Sequence, residues 1–426
     1  MLSYKMPQAD KNPGEYELGE SVLSEPAKGN IIELTAFNDE ARENPHRKLK
    51  NLRETAPAMR DDATKVWMIS RYDDVRGLVN DTTMLRSPHA AEEGSISRRF
   101  AQLNDGEGPQ SILFMDDPDH SRVRKPLAKA LYKRIQSMKT EIEELIDSVI
   151  DSCPANGTFD LMKDVAVPVP ILVIAHILGV DESRLGEFRN WSEAAILSLN
   201  PVRTAEQTAQ MEAGNEALRH YFGELLEKRR REPCDDLISD MAAHQKNGGE
   251  MSNAELLTNL AGLLIGGNLT TTDLIGNGLW LLLTHPLQLQ KLRSDRSLTG
   301  PAVDEILRFE SPVASTSRTL PNDSEVAGCP MKGTQTVFCS LHSANRDPDI
   351  FEEPDQFDIT RPKKAHVAFG GGQHLCIGAP LARIEARRVL ERLLDRYDTI
   401  ELAQDEIIWR QLPFFRGIEE LQIRVS

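Results

Sequence analysis

The chain is poor in aromatic residues and in net positive charge, and each shortage excludes a class of protein. Aromatic residues make up 5% of the 426 residues, too few for the stacking platforms of single-strand nucleic-acid binders. A formal net charge of −16 provides no basic excess to contact a phosphate backbone. Hydrophobic and charged contents of 40% and 27% are those of an ordinary globular protein.

Paired cysteines and long apolar runs are also absent. The five cysteines are scattered and lack CxxC spacing, so we expect neither a disulfide framework nor a structural zinc site. The most apolar early run, residues 167–179, is too short and too rich in proline to span a bilayer. The first thirty residues are polar and contain no signal peptide. We therefore expect a flexible tail over residues 1–30, a single domain over 31–426 and a cytoplasmic location.

Periodicity predicts a mainly α-helical chain with a minor β region. Residues 65–81 read as a strand, a turn and a helix, and 82–110 as a mobile, functional loop with short helical pieces. Residues 324–344 alternate like a small antiparallel sheet, and 345–364 form a polar meander without periodicity. Helices are predicted at 120–151 (kinked or broken at Pro126), 169–178, 183–197, 204–231, 253–284, 286–295, 301–310 and 377–397.

The predicted helix over 253–284 would span about 48 Å, yet its middle reads LLIGGNLTTTD. Two glycines in a helix interior cost about 1 kcal/mol each relative to alanine, and the β-branched threonines add more. The only acid of this stretch, Asp273, comes at its end. A stretch that gives up helix stability in this way indicates a functional site.

The segment AFGGGQHLCIGAPLAR is the most informative. Gly370 to Gly372 allow positive φ and close approach to something flat and bulky. Cys376 follows at the entrance of a helix, where free N–H groups and the helix dipole stabilise a thiolate. An iron–thiolate centre requires this arrangement, although a glycine-rich loop before a helix can also bind phosphate.

The pattern Phe-Gly-x-Gly-x-His-x-Cys-x-Gly resembles that of the cytochrome P-450 superfamily. Its fixed places are filled by Phe369, Gly370, Gly372, His374, Cys376 and Gly378. The resemblance covers about residues 65–417. It implies the cytochrome P-450 fold, with haem b between the long central helix and the cysteine-loop helix and Cys376 as axial iron ligand. Electron density from the thiolate then favours O–O cleavage.

Two further groups of residues resemble family landmarks. Glu305 and Arg308 match a Glu-x-x-Arg signature, which Arg361 completes as a buried structural salt-bridge cluster; alone, such an i, i+3 pair would be read as a surface bridge. The two haem propionates need cationic partners. By the resemblance these partners are His120, Arg124, Arg318 and His374.

The central helix matches the family motif at its small pair, Gly266 and Gly267, and at Thr270, whose hydroxyl positions dioxygen and water. The motif's acid is replaced by Leu269. Asp273 lies one turn after Leu269 and could substitute, or could pair on the surface or with a neighbouring helix. Asn268 could also order water. Proton delivery through Thr270 with water or Asp273 would make turnover slower, or less tightly coupled to NAD(P)H consumption, than an acid at position 269 would. The alternative is peroxide-driven or ferric-peroxo chemistry, which does not need the usual second protonation.

The resemblance also places a substrate pocket and a redox partner. Pocket candidates are Gly262, Ile265, Ala314, Ser315, Thr316, Phe414 and Phe415, beneath a lid formed by residues 82–110 and 191–211. They suit a small or medium lipophilic substrate. Electrons from NAD(P)H would arrive through a ferredoxin or flavodoxin and its reductase. The predicted docking face is basic and contains Arg122, Lys125, Lys129, Lys133 and Arg134, which could also be a merely solvated face.

These residues predict a haem-thiolate monooxygenase that inserts one oxygen atom from O₂. A non-catalytic haem sensor is the alternative, to which Leu269 gives some weight. A cysteine protease does not fit, because His374 is the one candidate base near Cys376 in the sequence and lies two residues away.

Overall fold

A computed structural model describes residues 27–103, 111–199 and 203–426. The α-helices in these ranges are α1 (Asp39–Glu43), α2 (Pro45–Thr55), α3 (Tyr72–Asn80), α4 (Ile96–Leu103), α5 (Asp119–Ser137), α6 (Lys139–Ser152), α7 (Pro168–Leu178), α8 (Leu185–Ile196), α9 (Ala205–Arg231), α10 (Leu237–Lys246), α11 (Asn253–Thr284), α12 (Pro286–Ser294), α13 (Thr299–Phe309), α14 (Leu341–Ala344) and α15 (Ala379–Arg396). The strands are β1 (Ala27–Lys28), β2 (Ala58–Asp61), β3 (Val66–Ile69), β4 (Gly157–Asp160), β5 (Ser315–Thr319), β6 (Ser324–Val326), β7 (Cys329–Met331), β8 (Thr336–Ser340), β9 (Ile400–Leu402), β10 (Ile408–Trp409), β11 (Ile418–Glu420) and β12 (Gln422–Val425).

The central helix α11 has the bounds that the sequence predicts, Asn253–Thr284. A capping box starts it: the Ser252 hydroxyl accepts from the Glu255 N–H at 3.2 Å, and the Glu255 carboxylate accepts from the Ser252 N–H at 2.8 Å. Pro286 begins the next helix, α12. Helices α7, α9, α13 and α15 pack against α11, so most of its length is buried.

Of the kink or break predicted at Pro126, the break is wrong. Helix α5 runs through Pro126, and the chain changes direction at Met138, between α5 and α6. Proline removes one backbone donor, but Val123, Leu127 and Leu131 are all buried on the same side of the helix. Their packing holds the helix together across the missing hydrogen bond.

The β region is larger than predicted. The strands β6 and β7 form the expected antiparallel hairpin. Strand β8 instead joins a five-stranded sheet of order β1-β2-β3-β8-β5, in which it runs parallel to β3 and antiparallel to β5. A second sheet has the order β4-β12-β9, and β10 pairs with β11.

The other predicted helices are found within a few residues of their expected bounds, whereas α1, α2, α10 and β2 were not predicted. Of the predicted loop, residues 104–110 lie outside the described residues, and the rest contains α4 and a 3₁₀ helix at Pro88–Ala90. Of the predicted tail over residues 1–30, residues 1–26 lie outside the described residues. Ala27–Lys28 form β1, which pairs in parallel with Met59–Arg60 of β2. Among the helices that are described, none is long and apolar enough to cross a membrane.

Candidate active site

Cys376 lies in a tight loop immediately before α15. Its N–H donates to the Phe369 carbonyl at 3.0 Å. Its side chain is exposed, and the N–H groups of Gly378 and Ala379 lie near its sulfur. Surrounding protein raises the pKa of the thiol, while these two N–H groups oppose that rise by stabilising the thiolate. The sulfur is therefore an accessible donor.

The glycines before Cys376 have two different roles. Gly370 and Gly372 have φ values of +70° and +60°. A Cβ on Gly372 would lie 2.6 Å from the Val79 carbonyl oxygen, and one on Gly371 would lie 2.8 Å from the Val79 side chain. These two glycines therefore approach the end of α3 rather than a flat ligand. At Gly370 the nearest atom to an added Cβ is 4.0 Å away, so this position leaves open space.

The four predicted propionate partners lie near one another. The rings of His120 and His374 are 4.2 Å apart, centroid to centroid. Arg124 donates to the Leu375 carbonyl, and buried Arg318 donates to the Val79 carbonyl at 3.1 Å. Burial lowers the pKa of His374 to about 2, and further positive groups lower it too: His120, Arg86, Arg318 and Arg124.

This cluster has more positive than negative groups: Asp117 approaches the His120 ring at 3.8 Å, and Asp116 is the carboxylate that acts on Arg86 and Arg318. His120 is 1% exposed, and neither of its ring nitrogens has a hydrogen-bond partner among the described residues. Over the same residues, none of the three arginines Arg86, Arg124 and Arg318 forms an ion pair with a carboxylate. Buried polar and positive groups of this kind require an anionic partner. The two carboxylates of a haem group fit that requirement, and the thiol of Cys376 fits the iron.

Helix α11 presents an open face at the predicted oxygen site. A Cβ on Gly266 or Gly267 would have no atom within 4 Å. Further along the same helix, a Cβ on Gly276 would lie 2.5 Å from the sulfur of Met162. The first two glycines therefore border free space, while Gly276 permits close packing. The Thr270 hydroxyl donates to the Gly266 carbonyl at 2.7 Å.

The two residues before Thr270 are Asn268 and Leu269, and both are buried. The Asn268 amide donates to the Ser192 hydroxyl at 2.9 Å, and the residue is buried. Leu269 is 6% exposed. No polar group therefore stands at the position of the missing acid.

Asp273 pairs with a residue of the C-terminal segment, Arg410, at 2.6 Å. The sequence left open a pair on the surface or with a neighbouring helix; the partner instead follows strand β10, and the carboxylate is buried. The carboxyl is fully buried, and its Oδ2 has no partner among the described residues. A Cβ on Gly417 would lie 1.9 Å from its Oδ1. Burial raises the pKa of Asp273 to about 7, although Arg410 opposes the rise.

Glu305, Arg308 and Arg361 form a buried cluster. Arg308 binds both carboxylate oxygens of Glu305, at 2.7 and 2.8 Å, and Arg361 donates to the same carboxylate at 3.2 Å. Arg308 also donates to the carbonyls of Asn345 and Pro354, each at 2.9 Å. The cluster therefore holds the meander that leads to the cysteine loop.

The predicted pocket residues are only partly brought together. Ala314, Ser315, Phe414 and Phe415 line one narrow groove of about 30 Å³, to which α1 and α2 also contribute residues. The Ala314 N–H donates to the Phe414 carbonyl at 2.9 Å. Gly262 and Ile265 are not among the residues lining this groove. They lie on α11, where a Cβ on Gly262 would be 3.6 Å from Ser111.

The predicted basic face is smaller than expected. Arg122 pairs with Glu255, Lys133 pairs with Asp240 at 3.1 Å, and Arg134 pairs with Asp240 at 2.6 Å. These bonds connect α5 to α10 and α11, so the charges of three predicted residues are largely neutralised. Lys125 and Lys129 are exposed. Two other exposed side chains belong to the same region, Tyr132 on α5 and Leu375 beside the cysteine, at 42% and 48% exposure.

Sequence reasoning missed Arg86 and Arg410. Arg86 lies in an irregular segment with no motif, and Arg410 lies 137 residues beyond Asp273. The sequence carries no local signal for either, because their partners are set by the tertiary fold.

Comparison with known proteins agrees with this geometry. The chain matches the cytochrome P450 family over residues 25–414. Cytochrome P450 107B1 of Saccharopolyspora erythraea is 35% identical over 408 residues, which cover 93% of this chain and 98% of that protein. The 6-deoxyerythronolide B hydroxylase of the same organism is 34% identical over 392 residues, covering 89% of this chain and 96% of that one. The solved structure of P450BioI in complex with an acyl carrier protein ligated to hexadec-9Z-enoic acid has a TM-score of 0.82 and 32% identity, and covers 91% of this chain and 100% of that chain.

Family match, relatives and fold confirm the predicted family, its fold and its class of activity. The chain belongs to the cytochrome P450 family and is a haem-thiolate monooxygenase.

Proposed function

We propose that the enzyme inserts one oxygen atom from O₂ into a small or medium lipophilic substrate, using electrons that originate from NAD(P)H. The observation that carries this proposal is the exposed thiol of Cys376, directly before α15 in a chain with the cytochrome P450 fold. When bound, haem b would supply the oxygen-activating redox chemistry, and Cys376 would hold its iron through the thiolate. The five cysteines are all free, in keeping with a cytoplasmic setting.

The residues around the cofactor have separate tasks in this proposal. His120, Arg124, Arg318 and His374 bind the haem carboxylates, and Phe369 and Gly370 border the porphyrin. Gly266 and Gly267 leave room for oxygen and substrate, because their open face has no neighbouring atom within 4 Å of an added Cβ. The Thr270 hydroxyl gives its hydrogen to Gly266, so its lone pairs can accept a hydrogen bond from water on the open side.

The substrate class follows from the lining and from the relatives. Ala314 and Phe414 are apolar, and Ser315 adds a hydroxyl, as expected for a lipophilic molecule with one or two polar groups. One relative is named as the hydroxylase of 6-deoxyerythronolide B, and another binds a fatty acid ligated to acyl carrier protein. We place the substrate of this enzyme among comparable apolar, partly oxygenated molecules.

Turnover with isotopically labelled O₂ tests the proposal. Candidate substrates are first selected by the spectral shift that follows displacement of iron-bound water. The selected compounds are then incubated with NADPH and a surrogate ferredoxin and reductase. We expect one labelled oxygen atom in each product molecule. Product that lacks the label, or that forms with hydrogen peroxide but never with NADPH, would refute the O₂-dependent function.

We further propose that an acidic ferredoxin or flavodoxin docks beside the cysteine loop. The surface consists of Lys125, Lys129, Tyr132 and Leu375, with the two apolar side chains exposed beside the charges. Arg124 connects α5 to this loop through the Leu375 carbonyl. A small contact of this kind is typical of transient electron-transfer partners. The positive charges would steer an acidic partner to the side of the iron that holds the sulfur.

Charge reversal tests this docking surface. Lys125→Glu/Lys129→Glu is expected to slow reduction of the iron by about tenfold at low salt, with the difference fading at high salt. Stopped-flow reduction by an acidic ferredoxin measures the rate. Lys163→Glu/Lys228→Glu is the matched control, because it changes the net charge equally at exposed lysines on other elements. Equal rates for the two double variants at low salt would contradict the docking surface.

We propose that Asp273 holds the proton that the missing acid would supply. Asp273 follows Thr270 by one helical turn, and positions three apart lie on adjoining parts of one helix face. Its Oδ2 lacks a partner among the described residues, and its pKa of about 7 allows it to gain or lose a proton near neutral pH. Arg410, whose side chain is 24% exposed, connects the buried carboxyl with the surface.

Two variants test this proton route by the product formed per NAD(P)H consumed. Asp273→Asn retains the size of the side chain and its hydrogen bonding but not its acidity, and should lower this ratio by about tenfold. Leu269→Asp restores an acid at the family position and should raise the ratio. Thermal unfolding of both variants controls for stability. If Asp273→Asn lowers the melting temperature but leaves the ratio unchanged, Asp273 only anchors the C-terminal segment.

A further inference from the structure

Glu310 lies directly after α13 and is 2% exposed. One of its carboxylate oxygens accepts from the Arg416 guanidinium at 2.9 Å. The other lies 2.9 Å from the His46 ring and 3.5 Å from the Arg346 guanidinium. Burial alone would raise the pKa of this carboxyl, but its three partners outweigh burial and hold the pKa well below its usual range. The carboxylate is therefore a buried anion that connects three distant parts of the chain.

Arg416 extends this connection to the N-terminal helices, and its side chain is 8% exposed. Besides its bond to Glu310, the guanidinium donates to the Glu43 carbonyl at 3.0 Å and to the Arg42 carbonyl, at the junction of α1 and α2. The backbone N–H of Arg416 donates to the Pro312 carbonyl at 2.8 Å. One side chain therefore ties the α1–α2 junction and the C-terminal segment to the same buried carboxylate.

The C-terminal turn, residues 411–415, is held on both sides by α11. Before the turn, the Arg410 side chain pairs with Asp273 at 2.6 Å. After the turn, the Arg416 carbonyl accepts from the Asn277 amide at 2.9 Å. The predicted pocket residue Phe414 thus lies on a turn whose position is set by side-chain bonds to α11 and to Glu310.

The α1–α2 junction and the C-terminal turn border the same narrow groove of about 30 Å³. Both helices contribute apolar residues to the groove, namely Ala41, Pro45 and Leu49, and the turn contributes Phe414 and Phe415. Because protein interiors are packed without spare room, a shift of either element would displace the side chains of the other. The bonds of the Arg416 side chain therefore determine how these two elements meet.

We propose that Arg416 is a positioning residue for substrate selection, because it holds the C-terminal turn and the α1–α2 junction together as one wall of the substrate pocket. This inference rests on the proposed function, in which Phe414 lines that pocket. Arg416 does not touch the reacting atoms; it fixes the shape of a surface that large apolar ligands must contact. Small ligands that do not reach this wall should not respond to the loss of Arg416.

The first test compares two azoles that bind haem iron through the same type of nitrogen but differ in size. Clotrimazole carries three aromatic rings that need contact with the pocket wall, whereas imidazole needs almost none. Arg416→Met is expected to bind clotrimazole about tenfold more weakly than the natural protein does, with its affinity for imidazole unchanged. Arg416→Lys retains the charge and should be intermediate, and it decides the comparison if Arg416→Met does not fold. Spectral titration of the holoprotein measures both affinities.

Arg346→Met is the matched control. Arg346 is as buried as Arg416, at 6% against 7% exposure, and it contacts the same carboxylate. Its other bonds go to the Phe309 carbonyl and to Asp355, so it does not hold the turn or α1. Both methionine variants should lose stability, but only Arg416→Met should lose affinity for clotrimazole. An equal ratio of the two azole affinities in these variants would overturn the role of Arg416.

Hydrogen exchange provides a second readout that does not depend on haem. The backbone amides of residues 42–46 and 411–415 should exchange faster in Arg416→Met than in Arg346→Met, because only the first variant loses the bonds between these segments. Equal exchange in the two variants would overturn the proposed wall. A natural protein that shows no spectral shift with imidazole would instead overturn the haem assignment, which separates the two failures.

Discussion

Replacing Cys376 with serine is expected to abolish oxygenation while leaving a folded protein. Serine keeps the size of the side chain but lacks the sulfur, so the electron donation that favours O–O cleavage is lost. Because the side chain is exposed, little packing is disturbed. We expect turnover to fall by about a thousandfold or more, which corresponds to about 4 kcal/mol in the activation barrier. Product formation with the surrogate redox pair measures the loss.

The spectrum of the reduced, CO-bound form shows whether the sulfur was the ligand. The natural protein should display the band typical of thiolate-ligated haem, and Cys376→Ser should not. Cys234→Ser is the control, because Cys234 is also exposed but lies outside the loop. A thiolate-type band that persists in Cys376→Ser would show that the axial ligand has been misassigned.

Local sequence signals predicted the features that depend on neighbouring residues in the chain. The capping box at Ser252 and the proline at 286 determine where α11 begins and ends. The stretch from Phe369 to Ala379 carries both the thiol and the two N–H groups that lower its pKa. Here the sequence was sufficient, since each hydrogen bond closes over a short stretch of chain.

Features that depend on distant contacts were not predictable in this way. Glu310 is buried between His46, Arg346 and Arg416, and His46 lies 264 residues away. Strand β8 pairs with β3 although their sequences suggest no partner. The basic face on α5 was overestimated for the same reason. A helix reveals its own charges but not the carboxylates that other helices bring to Arg122, Lys133 and Arg134.

The Glu305–Arg308 pair lies between these two cases. Its spacing on α13 is visible in the sequence, and an isolated pair of this spacing would contribute only a few tenths of a kcal/mol. Its strength comes from burial, since both side chains are at most 4% exposed, and burial is a property of the fold. Once buried, either charge without its partner becomes a large cost.

Arg308→Met is therefore expected to lower the free energy of unfolding by about 3–5 kcal/mol. The change leaves the Glu305 carboxylate buried with Arg361 as its remaining cation, at 3.2 Å. It also removes the donors to the Asn345 and Pro354 carbonyls, so the meander should loosen and purified protein should contain less haem. Denaturant unfolding and haem content per chain measure the two effects. Arg383→Met is the matched control, because Arg383 also pairs with a carboxylate of α13, Asp304, but the two side chains are 40% and 35% exposed. Exposed pairs contribute about 0–1 kcal/mol, so comparable losses in the two variants would show that burial of the cluster is not what stabilises the meander.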